Sequence, residues 1–106
     1  MNALQELLHF TKDKEDIKCA IVKYDKYDDG PILALLPVDF TQKQAHDFYA
    51  TLNTINYDAG YGSQQLYGTI WFTDNTWATR REYDGSEWWY CHKYPDIQKE
   101  FTNVNA

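Results

Sequence analysis

The sequence predicts an α+β fold: a two-layer domain with an antiparallel sheet of about five strands and helices on one face. Three observations predict it. Two segments combine helix-start chemistry with apolar residues at helical spacing. Two apolar runs flank a Gly/Pro turn near the start of the chain. The last third is a meander of aromatic runs broken at "DN" and "DG". The order is therefore α-β-β-α-β-β-β.

The first helix is read from "NALQELLHFTK". Asn2 followed by Gln5 has capping-box spacing, and Leu4, Leu7 and Leu8 repeat at helical intervals. "IKCAIVKY" (17–24) is β-branched and apolar, hence a strand; "KYDDGP" (26–31) is turn chemistry; "ILALLP" (32–37) is the returning strand, stopped by Pro37. The second helix starts at Thr41, with Gln44 at the third helical position and Phe40 placed to staple onto Ala45. Ala45, Phe48, Tyr49 and Leu52 make its apolar stripe, and Asn53 fits its end. "NYDAGYGSQQLYG" (56–68) is too polar for a strand and too rich in glycine for a helix, so it reads as a long loop. The meander spans 68–94 and ends before Pro95; the tail 98–106 is expected to be weakly ordered.

A chain of 106 residues suits one domain, 1–106, with one modest core. Its net charge is -6 with a pI near 4.8, and no Lys/Arg run matches a phosphate backbone, so direct duplex binding is not expected. The same acidity suits a basic protein partner or simple solubility. Cys19 and Cys91 fit no zinc or redox spacing, and "MNALQELLHF" has neither the basic start nor the apolar run of a signal peptide. No stretch is long and apolar enough for a membrane span. A cytoplasmic location with no membrane association is the expectation.

The meander sets the candidate site. A two-residue "DG" turn puts Arg81 opposite Trp88, Arg80 opposite Trp89 and Trp77 opposite His92. Treating "DN" as a second two-residue turn puts Phe72 opposite Trp77 and Trp71 opposite Ala78. One face then holds Ile70, Phe72, Trp77, Thr79, Arg81, Trp88, Tyr90, His92 and Tyr94, and as the more apolar it is assigned to the core. The other holds Trp71, Arg80, Glu82, Glu87, Trp89 and Cys91. Two tryptophans about an arginine have the composition of a binding hot spot, and Arg80 over Trp89 is a cation–π pair. A packing role competes with this: a surface salt-bridge cluster of Arg80, Glu82 and Glu87 with its tryptophans covered by the Gly-rich loop or the N-terminal helix. A slip of one residue at "DN" would also carry Trp71 to the opposite face. Within the loop, Tyr57, Tyr61, Tyr67, Gln64 and Gln65 supply aromatic walls and amides for a small-molecule pocket.

Catalytic and metal patterns are weak. "DKYDDG" starts like a calcium loop but has Tyr27 at its third position and Leu36 at its twelfth. His9, His46 and His92 fall on separate elements, and "AGYGSQ" lacks a phosphate-loop lysine. Glu82 and Glu87 form the one carboxylate pair that suits acid–base work. No cofactor is expected, and an enzyme is the least favoured class.

The run "YGSQQLYGTIWFTDNTWATRREYDGSEWW…HKYPDI", about a third of the chain, resembles a group of small proteins encoded by tailed bacteriophages. "GYGSQ", "GTIWFTD", Trp77, Arg81 to Tyr83, "DGSEWW" and Pro95 carry the resemblance. Asn75 and Arg81 stand where the group often has glycine, so Arg81 is an added charge. The resemblance implies an infected bacterial cytoplasm and no particular reaction. The leading expectation is an accessory protein that binds and inhibits a host defence protein with a basic surface, steered by acidic groups. The second is a sponge for a nucleotide-derived signal, whose base stacks on Trp71 or Trp89 and whose phosphate pairs with Arg80, as a possible homodimer. A Glu82/Glu87 hydrolase is the third.

Overall fold

Each helix begins where the sequence places its cap. The computed structural model describes residues 1–24, 32–57 and 64–94, with Ile32 and Leu33 described by backbone alone. The turn 26–31, Tyr61 with the rest of 58–63, and the tail 98–106 lie outside the described residues. Helix α1 (Ala3–Thr11) starts with Asn2, whose side chain accepts from the Gln5 N–H at 3.0 Å. Helix α2 (Gln42–Asn53) has the full capping box: Gln44 N–H donates to Thr41 Oγ1 at 3.1 Å, and Gln44 Oε1 accepts from Thr41 N–H at 2.9 Å. Leu7 of α1 and Phe48 and Leu52 of α2 are buried, as their spacing predicts, whereas Leu8 is exposed.

The strands are β1 (Ile17–Tyr24), β2 (Ile32–Leu36), β3 (Leu66–Phe72), β4 (Trp77–Tyr83) and β5 (Ser86–His92). They form one antiparallel sheet in the order β2-β1-β3-β4-β5, which is the expected α+β architecture with both helices on one side. The loop between α2 and β3 carries the chain back to pair β3 with β1 rather than with β2.

The two hairpin turns of the meander differ, and the difference decides which face is buried. At "DG", Asp84 and Gly85 both have positive φ (53° and 87°), the requirement of a two-residue type I′ turn. The predicted β4–β5 register follows in full, from Tyr83↔Ser86 through Arg80↔Trp89 to Trp77↔His92. At "DN" the loop is one residue longer. Phe72 N–H donates to Thr76 O at 2.9 Å, and Asn75 alone has positive φ (68°). This is a three-residue loop closed by a left-handed residue, a role that asparagine tolerates. Asp74 reinforces it by accepting from Thr76 N–H at 3.0 Å. Trp71 therefore pairs with Trp77, and Ile70 with Ala78; the expected Phe72–Trp77 and Trp71–Ala78 pairs are not formed.

The assignment of faces is thus reversed from the sequence expectation on β4 and β5, whereas on β3 Ile70 and Phe72 lie in the core and Trp71 off it, as expected. Ala20, Val22, Ala34, Leu36, Leu66, Ile70, Phe72, Ala78, Arg80, Glu87 and Trp89 lie beneath the helices and are buried. Trp71, Trp77, Thr79, Arg81, Tyr83, Trp88, Tyr90 and His92 alternate onto the other, helix-free face. The buried face is rich in small residues because two helices must settle on it. Gly68 is the extreme case: a Cβ there would stand 2.4 Å from Ile21 O and 3.3 Å from the Trp89 ring. Trp89 fills the space that Gly68 leaves, and Phe10 of α1 stacks over the same indole at 6.4 Å.

Candidate functional site

The predicted constellation about Arg80 exists, but as a buried cluster. The Arg80 side chain is 1% exposed and that of Glu87 is 0%. Arg80 Nη2 donates to Glu87 Oε1 at 2.8 Å and to Tyr57 Oη at 2.8 Å. Arg80 Nη1 sits 3.0 Å from Glu6 Oε1, an ion-pair distance at which the angle falls outside hydrogen-bond geometry. Tyr57 in turn donates to Glu6. Glu87 also accepts from Gln65 N–H at 2.8 Å and Leu66 N–H at 3.0 Å, so it pins the start of β3. The Arg80 guanidinium stands over Trp89 at 5.2 Å and over Tyr57 at 5.6 Å.

Electrostatics in this cluster follow from burial and pairing. Burial by itself would lower the Arg80 pKa, but the Glu6 charge and the hydrogen bond to Glu87 outweigh it and hold the group above its ordinary value. Burial pushes the Tyr57 phenol well above its ordinary value, and the hydrogen bond it donates to Glu6 adds to that. The cluster thus joins α1 to β4, β5 and the segment after α2. Ala3 N–H to Ile55 O (3.0 Å) and Tyr57 N–H to Met1 O (2.9 Å) set Tyr57 in place for it.

The other predicted site residues scatter. Glu82 faces Glu87 in register yet is exposed, and it accepts from Gly85 N–H at 3.1 Å at the turn. Gln64 is half-buried and donates to Leu66 O at 2.9 Å. Trp71 lies on the opposite face of the sheet, 42% exposed. Tyr61 is outside the described residues. Arg80, Glu87 and Trp89 are consequently corrected from an open contact surface to core. With Glu87 held by three donors, the cross-strand carboxylates do not form an open acid–base pair.

The helix-free face carries the β4 and β5 aromatics that sequence reasoning placed in the core, together with Trp71, which it placed on the candidate surface. Trp71, Trp88 and Tyr90 are 42%, 38% and 42% exposed. Trp77 stacks on His92 at 5.5 Å and meets Tyr94 at 5.1 Å, and Arg81 lies 3.8 Å above the Tyr90 ring. His92 Nε2 and Thr79 Oγ1 are 2.8 Å apart, which orients the imidazole along the row. Leu35 and Ile21 extend the apolar surface across β2 and β1. No strand position of this face is acidic among the described residues, while Lys23, Arg81 and His92 lie on it. The signal for this arrangement was present in the small residues Ala20, Gly68 and Ala78, which mark the side that helices approach. No family model matches the chain, nor does any curated protein or solved structure.

Proposed function

We propose that this chain is a non-enzymatic binding protein that occupies and inhibits a host protein of the bacterial cytoplasm through its helix-free aromatic face. The observation that carries the reading is the composition of that face: exposed Trp88 and Tyr90 flank an Arg81 that has no carboxylate partner among the described residues, and exposed Trp71 lies further along the same face. Tryptophan, tyrosine and arginine dominate interface hot spots because each buries a large rigid area and ends in a polar handle. A contiguous apolar surface left uncovered on one side of a sheet is the usual mark of an interaction site. The resemblance of the meander to small tailed-phage proteins supports the setting, an infected cell in which such a protein acts by occupancy.

The chemistry of the partner changes with the faces. The expectation of a basic partner came from the net charge of -6 and from acidic groups, Glu87 among them, on the expected contact surface. Glu87 is buried and Glu82 points to the helix side, so among the described strand residues the aromatic face carries cations and no carboxylate. The partner that complements it presents an acidic or carbonyl-rich rim around apolar residues. The test is titration of the purified partner, found by affinity capture from infected cells, against wild type, Trp88→Ala, Arg81→Glu and Glu82→Ala. The face variants are expected to weaken binding roughly 30-fold or more, and Glu82→Ala to leave it unchanged. Unchanged affinity in Trp88→Ala and Arg81→Glu would overturn the assignment of the surface.

A further inference from the structure

At one end of the aromatic face a cleft of ≈ 350 Å³ opens between Lys18, Trp71, Asn75, Thr76, Trp77 and Tyr94. Its volume falls within the range of about 300–1,000 Å³ for small-ligand sites. Four features give it a chemistry. The β1–β3 register shifts between Ile17 and Cys19, leaving Lys18 as the extra residue of a bulge. Such bulges re-aim a side chain out of the strand alternation, and here Lys18 lines the cleft on the aromatic side. Lys18 makes no ion pair or hydrogen bond among the described residues, and no carboxylate lines the cleft. Trp71 is 42% exposed and has no ring partner among the described residues, whereas Trp77 is already braced by His92 and Tyr94. Asn75, held at φ 68° by the three-residue turn, also lines the cleft. Asp74, which precedes Asn75 in the turn, has its carboxylate engaged by Thr76.

We propose that this cleft binds an adenine nucleoside monophosphate unit, with the base against Trp71, the base edge read by Asn75 and the phosphate on Lys18. An indole face with an unengaged side stacks any base. An amide that offers donor and acceptor together complements the N6–H and N7 of adenine. A lone ammonium is a point-charge phosphate partner. The site is separate from Arg80, which the sequence suggests for a phosphate and the fold buries. It also stands independently of a protein partner on Trp88 and Arg81, further along the face. The unit is recognised by the same chemistry whether it is free or is the phosphorylated end of a single strand.

The test is tryptophan-fluorescence titration at low salt with adenosine 5′-monophosphate, adenosine, inorganic phosphate and a 5′-phosphorylated oligoadenylate. Variants are Lys18→Gln, Trp71→Ala and, as a control outside the cleft, Trp88→Ala, each checked for its fold by circular dichroism. The nucleotide should bind saturably and about ten-fold more tightly than adenosine, and Lys18→Gln should remove that difference. Trp71→Ala should weaken both nucleotide and nucleoside roughly ten-fold, and Trp88→Ala neither. Tighter binding of the oligomer than of the monophosphate identifies a strand end as the source; equal binding identifies the free nucleotide. No saturable binding at millimolar nucleotide, or equal nucleotide affinity in wild type and Lys18→Gln, would overturn the proposal. Loss of a protein partner in Trp88→Ala with nucleotide affinity intact separates this site from the docking surface.

Discussion

Arg80 and Arg81 are neighbours in sequence and opposites in environment, so replacing each by methionine tests the orientation of the whole sheet. Arg80→Met removes an ion pair to Glu6, an ion pair to Glu87 and a hydrogen bond to Tyr57. Removing one partner of a buried pair costs about 3–5 kcal/mol, because the remaining charge stays desolvated. Glu87 keeps the Gln65 and Leu66 N–H groups, and Glu6 is 13% exposed, so the expected loss lies at the lower end, about 3 kcal/mol. A domain of this kind has about 5–15 kcal/mol in all, so the variant should be visibly fragile. Arg81→Met touches an exposed side chain and should stay within about 0.5 kcal/mol of wild type. Pairing Arg80→Met with Glu87→Gln removes the stranded charge and should recover about 1–2 kcal/mol of the loss. The assay is urea unfolding followed by tryptophan fluorescence, with the midpoint moving and the slope unchanged. A loss below about 1 kcal/mol for Arg80→Met, or a larger loss for Arg81→Met, would refute the burial of the guanidinium and with it the assignment of faces.

Three further outcomes are expected. Gly68→Ala should destabilise by about 1–3 kcal/mol in a thermal melt, because the new Cβ meets a backbone carbonyl and the Trp89 ring rather than a side chain free to move. Tyr57 has a folded pKa raised above its unfolded value, so its contribution is fully present below about pH 10 and is lost as pH rises through the folded value. Phenolate absorbance should therefore show one tyrosine resisting ionisation above its ordinary range, and Tyr57→Phe should abolish that late step. Trp88→Ala on the open face should shift the melting midpoint by only a few degrees, whereas Trp89→Ala, which removes a buried indole, should cost about 3–5 kcal/mol.

What the sequence determined by itself is the set of features whose energetics are local. The Thr41–Gln44 capping box, the Asn2 cap and the "DG" turn each depend on a few adjacent residues, so the helix starts and the β4–β5 register were legible in the chain. The order of elements and the α+β class followed from periodicity. The "DN" turn was ambiguous because asparagine serves a two-residue or a three-residue hairpin, and one extra residue sends Trp71 to the other face. Tertiary structure decided the rest. An aromatic count in the meander favoured Trp77, Trp88 and Tyr90 for the core, but helices need small residues beneath them, and Ala20, Ala34, Gly68 and Ala78 provide that floor. Arg80 and Glu87 could be buried because Glu6, Tyr57 and two backbone amides converge on them from distant parts of the chain. A charge's cost of burial depends on its partners, and those partners meet only when the helix layer closes over the sheet.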